Sequence, residues 1–241
     1  MQGYEIKKDF LQAGKDYNRP GTPLLPQGLT VHETATPGAS SINESAYFHN
    51  AYRGASVHYF ADYSTIIQII PENEIAWHAG PTANHRFLSV ELCHFADPEK
   101  FQEVWKRGVW LASMLCRKYH WDPYDINQLN HHAWVSEEWG ETDHTDPIGY
   151  FQMHDRTWED FVNDVAENMR GVKKLMARLI EKESWKIEEG IEAIKNLSLR
   201  GILKEPAQHI EKLKDSDENS LDWVLFVGLD RIAEKAGIKK V

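Results

Sequence analysis

Short apolar runs dominate the first hundred residues, and long helical stripes follow. LTVHET (29–34) is β-branched and bounded by Gly28 and Pro37, which predicts a strand. VHYFAD (57–62) and TIIQIIP (65–71) meet at Asp62-Tyr63-Ser64 and predict a hairpin, and FLSVELC (87–93) adds another apolar, β-rich run. SINESAYFHNAYRG (41–54) reads as a helix, with Ser41 as N-cap and Gly54 as its stop. The first 28 residues carry Pro20, Gly21, Pro23, Pro26 and Gly28 and predict an irregular arm. A long helix fits 98–119, with Phe101, Val104, Trp105, Leu111, Leu115 and Tyr119 near one face. A second fits 156–182, with a stripe that begins at Trp158, Phe161, Val162 and Val165. Strands first and helices later point to the α/β class, a central mixed sheet flanked by helices. The stretch 121–151 has no sustained period and reads as one long polar loop, a form that is usually functional inside a compact domain.

From about residue 184 the texture changes. SWKIEEGIEAIKNLSLRGIL keeps a helical period, Pro206 follows, and the polar run KDSDENS (214–220) precedes a last helical stretch, LDWVLFVGLDRIAEKAG. The expected organisation is a domain over 1–183 and a small helical unit over 184–241, with the first helix able to continue into the second unit.

Composition narrows the classes. Lys and Arg number 27 against 37 Asp and Glu, a formal net charge of −10. Nucleic-acid binders usually show a basic excess, so no nucleic-acid partner is expected. No run of 18 apolar residues exists, which predicts no stable membrane insertion. The opening MQGYEIKKDF lacks an apolar h-region, so no ordinary secretory signal is expected. The two cysteines, Cys93 and Cys116, read as reduced, buried thiols.

Histidine changes the picture most. Ten of the twelve lie in the first 150 residues. The polar stretch NHHAWVSEEWGETDHTDP (130–147) offers His131, His132, Asp143, His144 and Asp146, any of which can ligate a divalent metal. His32, in mid-strand, is a further donor on a rigid element. None of the familiar short zinc motifs is present. From residue types alone, the metal site stays open, and the favoured reading of His32 is a core histidine.

Six blocks in order then carry a resemblance: GLTVHETATPGAS (28–40), ASVHYFAD (55–62), IIQIIPENEIAWHAG (66–80), FLSVELC (87–93), HHAWVS (131–136) and TDHTDP (142–147). Over about residues 5–155 the chain resembles the zinc-dependent N-acetylmuramoyl-L-alanine amidases related to peptidoglycan recognition proteins, in their bacterial and phage endolysin branch. The resemblance implies zinc (Zn2+) as cofactor, held by His32, His132 and Asp146, with His131 as the alternative to His132. It implies Glu91 as the catalytic carboxylate. Many relatives have Lys two residues before the third ligand; here His144 stands there and takes the role of transition-state stabiliser. His78, in WHAG, is implied as a substrate contact and His58 as a structural hydrogen-bonder. Cys93 shares a strand face with Ser89 and Glu91 and is expected to pack, and Asp143 to turn the loop. The implied partner is peptidoglycan, cut between N-acetylmuramic acid and L-alanine. The implied setting is an endolysin or autolysin made in the cytoplasm that acts on the wall after release. The competing readings are a non-catalytic wall-binding module, which typically loses a zinc ligand, and a zinc peptidase of the stem peptide. Wall binding is the role expected of residues 184–241.

Overall fold

The computed structural model describes residues 3–14, 17–200, 202–207 and 209–210, with side chains left aside over 172–190. In chain order the elements are β1 (Ile6–Lys8), β2 (Gly28–Glu33), α1 (Ser41–Asn50), β3 (Tyr59–Ala61), β4 (Ile66–Gln68), α2 (Pro81–Asn84), β5 (Phe87–Leu92), α3 (Pro98–Tyr119), β6 (Leu129–His131), α4 (His132–Trp139), α5 (Ile148–Met153) and α6 (Trp158–Leu199). The described strands form one mixed sheet in the order β1-β4-β3-β5-β2-β6. The β3–β4 pair is antiparallel, as the hairpin reading expects, and the other neighbours run parallel. Parallel strands need cover on both faces, and β2 and β5 are buried almost throughout.

Alternation then sorts the two faces. Leu29 and Val31 of β2, Leu88, Val90 and Leu92 of β5, and Tyr59 and Ala61 of β3 enter one core with Phe101, Val104, Trp105, Leu111 and Leu115 of α3 and Phe161, Val162 and Val165 of α6. The opposite face presents Thr30 and His32 beside Ser89 and Glu91. Helix α3 reaches β5 closely because residue 108 is glycine; a Cβ there would lie 2.7 Å from Leu92 Cδ2. Its start follows from Asp97, whose side chain accepts from Lys100 N, and from Pro98 in the first turn.

Two sequence expectations need correction. The cap of α1 is Ser40, in a reciprocal box with Asn43. Ser41 instead donates through both N–H and Oγ to Asp62 Oδ2, each at 2.8 Å. Asp62 Oδ1 also accepts from Ser64 and Thr65 N–H, both at 2.6 Å, so one buried carboxylate closes the hairpin and anchors a helix. Burial alone would raise its pKa, but these donors hold it below the usual value. The stretch 121–151 is not one loop: it contains β6, α4 and α5, elements too short to show a period. Helix α6 runs past residue 182 to Leu199, the continuation that the sequence left open.

The chain divides into two compact units, Met1–Val172 and Lys173–Val241. In the second, Ala193, Ile194 and Leu197 are buried. The last helical stretch expected after residue 220 lies outside the described residues. No helix among the described residues is long and apolar enough to cross a membrane.

His58 shows how the polar face is braced. It is fully buried. Ser89 N–H donates to its Nδ1 at 3.1 Å, so the ring's hydrogen sits on Nε2, which donates to the Glu74 carbonyl at 2.9 Å. Protonating Nδ1 would set two donors against each other, and burial pushes the His58 pKa down to about 4. The unfolded chain takes this proton near pH 6.5 and the folded chain only near 4, so stability falls as pH drops through that window. The loss attributable to His58 is on the order of 3 kcal/mol. Thermal melts from pH 7 to 4.5 are expected to show a steeper fall in Tm for the wild type than for His58→Gln; equal slopes would contradict the role.

Candidate metal and catalytic site

The register of two strands sets the first pair. β2 and β5 are parallel neighbours with His32 opposite Glu91, so both side chains rise from the same face near the carboxyl ends of their strands. β6 flanks β2 on the other side, pairing Val31 with His131, and α4 begins at the next residue. This change from strand to helix separates the two adjacent histidines. His131 accepts from Trp134 N–H through Nδ1 at 3.1 Å, capping α4, and its ring packs on Trp158. Burial lowers its pKa to about 4, in keeping with an accepting nitrogen. His132 turns inward, to Nδ1–Nδ1 distance 2.9 Å from His32.

Asp146 completes the group. Its carbonyl accepts from Ala133 N–H at 3.1 Å, which ties its loop to the first turn of α4. Its Oδ2 accepts from Glu33 N–H at 3.2 Å and lies 3.3 Å from His32 Nδ1, while Oδ1 lies 3.1 Å from His132 Nδ1. One ligand atom from each of His32, His132 and Asp146 falls within 4.8 Å of the others. The two histidines are 2% and 3% exposed, so these donors are almost free of competing water.

The electrostatics match the geometry. Burial lowers the His32 pKa against the pull of Asp146 and favours the neutral, ligating form. Burial alone would raise Asp146, but the neighbouring His132 and His32 outweigh it and hold the carboxyl well below the ordinary range. Two imidazoles and one carboxylate, their ligand atoms gathered within 4.8 Å of one another, fit the donor set of a catalytic zinc.

Around this group, Glu91 is partly buried, and its Oε2 is out of solvent with no hydrogen-bond partner. Burial, then the charges of Asp146, Glu44 and Glu33, push its carboxyl well above the usual value. His144 stacks on His132 with ring centroids 4.7 Å apart, places Nδ1 3.7 Å from Asp146 Oδ1, and is 63% exposed on the open side. His78 lies behind His32, Nδ1 to Nε2 3.0 Å. Cys93 is buried and free, its thiol pushed well up by burial, and it lies outside the three-donor group. Asp143 is exposed and outside the group as well.

Several supporting residues escape sequence reasoning because their partners are distant along the chain. Thr142 Oγ1 lies 3.1 Å from His132 Nε2 and 2.7 Å from Ser136 Oγ. Glu141 accepts from Thr82 N–H and Oγ1, both at 2.7 Å, pinning the loop that carries Thr142, His144 and Asp146 to α2. Gly80 makes room for that clamp: it has φ 88°, and a Cβ there would lie 2.6 Å from Glu141 Cβ. His94 bonds to Glu33 and stacks on Tyr150, whose hydroxyl donates to the Cys93 carbonyl at 3.0 Å. Thr142, Ser136, Gly80 and Glu33 had a signal, their places within the ordered blocks, whereas Glu141, Thr82, His94 and Tyr150 had none.

The family profile described as N-acetylmuramoyl-L-alanine amidase matches residues 20–149, more than half of the chain. A Staphylococcus aureus protein named Bifunctional autolysin is 33% identical over 173 residues, covering 69% of this chain and 14% of that protein. The chain therefore spans only about a seventh of that curated relative. The crystal structure of Staphylococcus aureus hydrolase AmiA in complex with its ligand aligns at TM-score 0.63 and 29% identity, over 70% of this chain and 85% of that one. A mutant endolysin from Bacillus subtilis aligns at TM-score 0.55 and 26% identity, over 68% and 99%. The matched segment holds His32, Glu91, His132 and Asp146 together, and the chain belongs to the N-acetylmuramoyl-L-alanine amidase family.

Proposed function

We propose that the protein is a zinc-dependent hydrolase that cuts the amide bond between the lactyl group of N-acetylmuramic acid and L-alanine in peptidoglycan, in an endolysin or autolysin role at the cell wall. The observation that carries this reading is the convergence of His32, His132 and Asp146 beside an uncompensated carboxyl, Glu91. Wall-binding modules that have lost catalysis typically lack a ligand; here all three donors are in place.

The chemistry asks for these groups. An amide carbonyl is a poor electrophile and its nitrogen a poor leaving group. Zinc held by His32, His132 and Asp146 would polarise the carbonyl and make a water acidic near neutral pH. Glu91 accepts the water proton as it attacks and then returns it to the departing alanine nitrogen, leaving a lactyl carboxylate and a free amine. A carboxyl raised by burial and by neighbouring acids holds that proton more readily than an exposed one. His144, on the open side of the donor group, donates an N–H to the developing oxyanion in either of its protonation states.

Residues 184–241 we assign to wall association. The residues assigned to chemistry all precede 147, and the net charge is −2 over 181–241 against −8 over the rest, so this part is less repelled by an anionic wall.

Three outcomes are expected. Chelation abolishes release of N-terminal alanine from purified peptidoglycan, and zinc restores it; His32→Ala, His132→Ala and Asp146→Ala each lose both metal and activity. Full activity after thorough chelation would refute the reading, and mass analysis showing another new N-terminus would turn it to a stem peptidase. Glu91→Gln is expected to keep its zinc and its Tm but lose about 10²–10⁴-fold in rate; near-normal turnover would make Glu91 structural. A chain ending at Glu183 is expected to cut soluble muropeptides yet sediment poorly with cell walls, and unchanged sedimentation would reject wall association.

A further inference from the structure

His78 occupies a place that substrate contact does not explain. Its backbone N–H and that of Ala79 both donate to Asn84 Oδ1, at 2.7 and 3.0 Å, which fixes the segment against α2. Its ring meets those of His32 and His58, with Nε2 3.3 Å from the Phe87 carbonyl oxygen and Nδ1 3.0 Å from His32 Nε2.

Donor and acceptor roles along this line follow from one end. A carbonyl oxygen only accepts, so His78 Nε2 carries the hydrogen. A neutral ring then has a bare Nδ1, which only accepts, so His32 Nε2 carries the hydrogen and donates it. His32 Nδ1 is left with its lone pair, and it is the atom that faces His132 and Asp146.

We propose that His78 is a positioning residue that fixes the tautomer and ring plane of His32, so that Nδ1 and not Nε2 is the atom offered to the cation. The proposal rests on the metal-site reading above. Both polar atoms of the His78 ring are spent inside the protein, on Phe87 and His32. A metal-ligating histidine is commonly held in this way by an outer partner, and loss of that partner costs about 10–100-fold in metal affinity. Here the partner is a second histidine whose own tautomer is set by a β5 carbonyl, so the strand that carries Glu91 also orients the ligand across from it.

The test reads nitrogen chemistry and zinc affinity, not turnover. Side-chain ¹⁵N–¹H correlation spectra of the full chain, metal-free and zinc-loaded, should show His32 and His78 both protonated at Nε2, with the zinc-induced shift of His32 on Nδ1. A His32 ring protonated at Nδ1 or shifted by zinc at Nε2 would overturn the proposal. The expected pattern without any zinc uptake would leave the relay standing and overturn the metal reading alone. In competition titrations, His78→Leu, which removes the acceptor, should bind zinc about 10–100-fold more weakly, and His78→Gln, whose amide oxygen can accept from His32, should recover most of that loss. Unchanged zinc affinity in folded His78→Leu, with only KM raised, would make His78 a substrate contact instead.

Discussion

Taking a carboxylate out of water is costly unless charge or hydrogen bonds replace its hydration. Asp146 is mostly buried, and its two oxygens are met by His32, His132 and the Glu33 N–H. The surrounding imidazoles are themselves desolvated, and His32 is pushed toward its neutral form. Imidazoles converging on an anion make a preference for a cation, and the rest of this face follows from keeping them together. Glu33 and Ala133 hold Asp146 in place, the Thr82–Glu141 clamp holds the approaching loop, and Thr142 faces the outer nitrogen of His132. A second acid beside the same anion, Glu91, meets repulsion from Asp146, Glu44 and Glu33, and the same electrostatics raise its affinity for a proton.

The sheet makes this concentration of polar groups tolerable. Alternation sends Leu29, Val31, Leu88, Val90 and Leu92 into a core with α3 and α6, and that packing leaves the opposite rows free to be polar. Thr30 and Ser89, then His32 and Glu91, stand in register on that face. A slip of one residue between β2 and β5 would bury the polar set in the apolar core, so the apolar rows enforce the register that the site requires. Parallel strands gather their loops at the carboxyl ends, where His132 and Asp146 arrive from β6 and the segment beyond α4.

Much of this was legible in the residues. A β-branched run bounded by Gly28 and Pro37 marked β2, an apolar, β-rich run marked β5, and a clear apolar stripe marked α3, because burial leaves its trace in the sequence. The elements between residues 121 and 153 left none: β6 has three residues and α5 six, below the length at which a period can be read. Ser40 caps α1 where Ser41 was expected because Asp62, 21 residues away, takes Ser41 for itself. Within the candidate site, the six ordered blocks pointed to His32, His132, Asp146 and Glu91, and the structure brings the three donors within reach of one ion. Neighbouring histidines could not be ranked by residue type. The turn from β6 into α4 separates them, giving His131 to the helix cap and His132 to the interior. The outer partners, Thr142, Glu141 and Asn84, are common polar residues whose meaning comes only from contacts across the fold.

The central claim is that one cation is held by His32, His132 and Asp146. Anomalous diffraction from crystals of the full chain, recorded on both sides of the zinc absorption edge, tests it directly. The account predicts a single strong peak bonded at roughly 2.0–2.2 Å to His32 Nδ1, His132 Nδ1 and an Asp146 carboxylate oxygen. A zinc peak at any other cluster, or none at these three residues in zinc-saturated crystals, would contradict it.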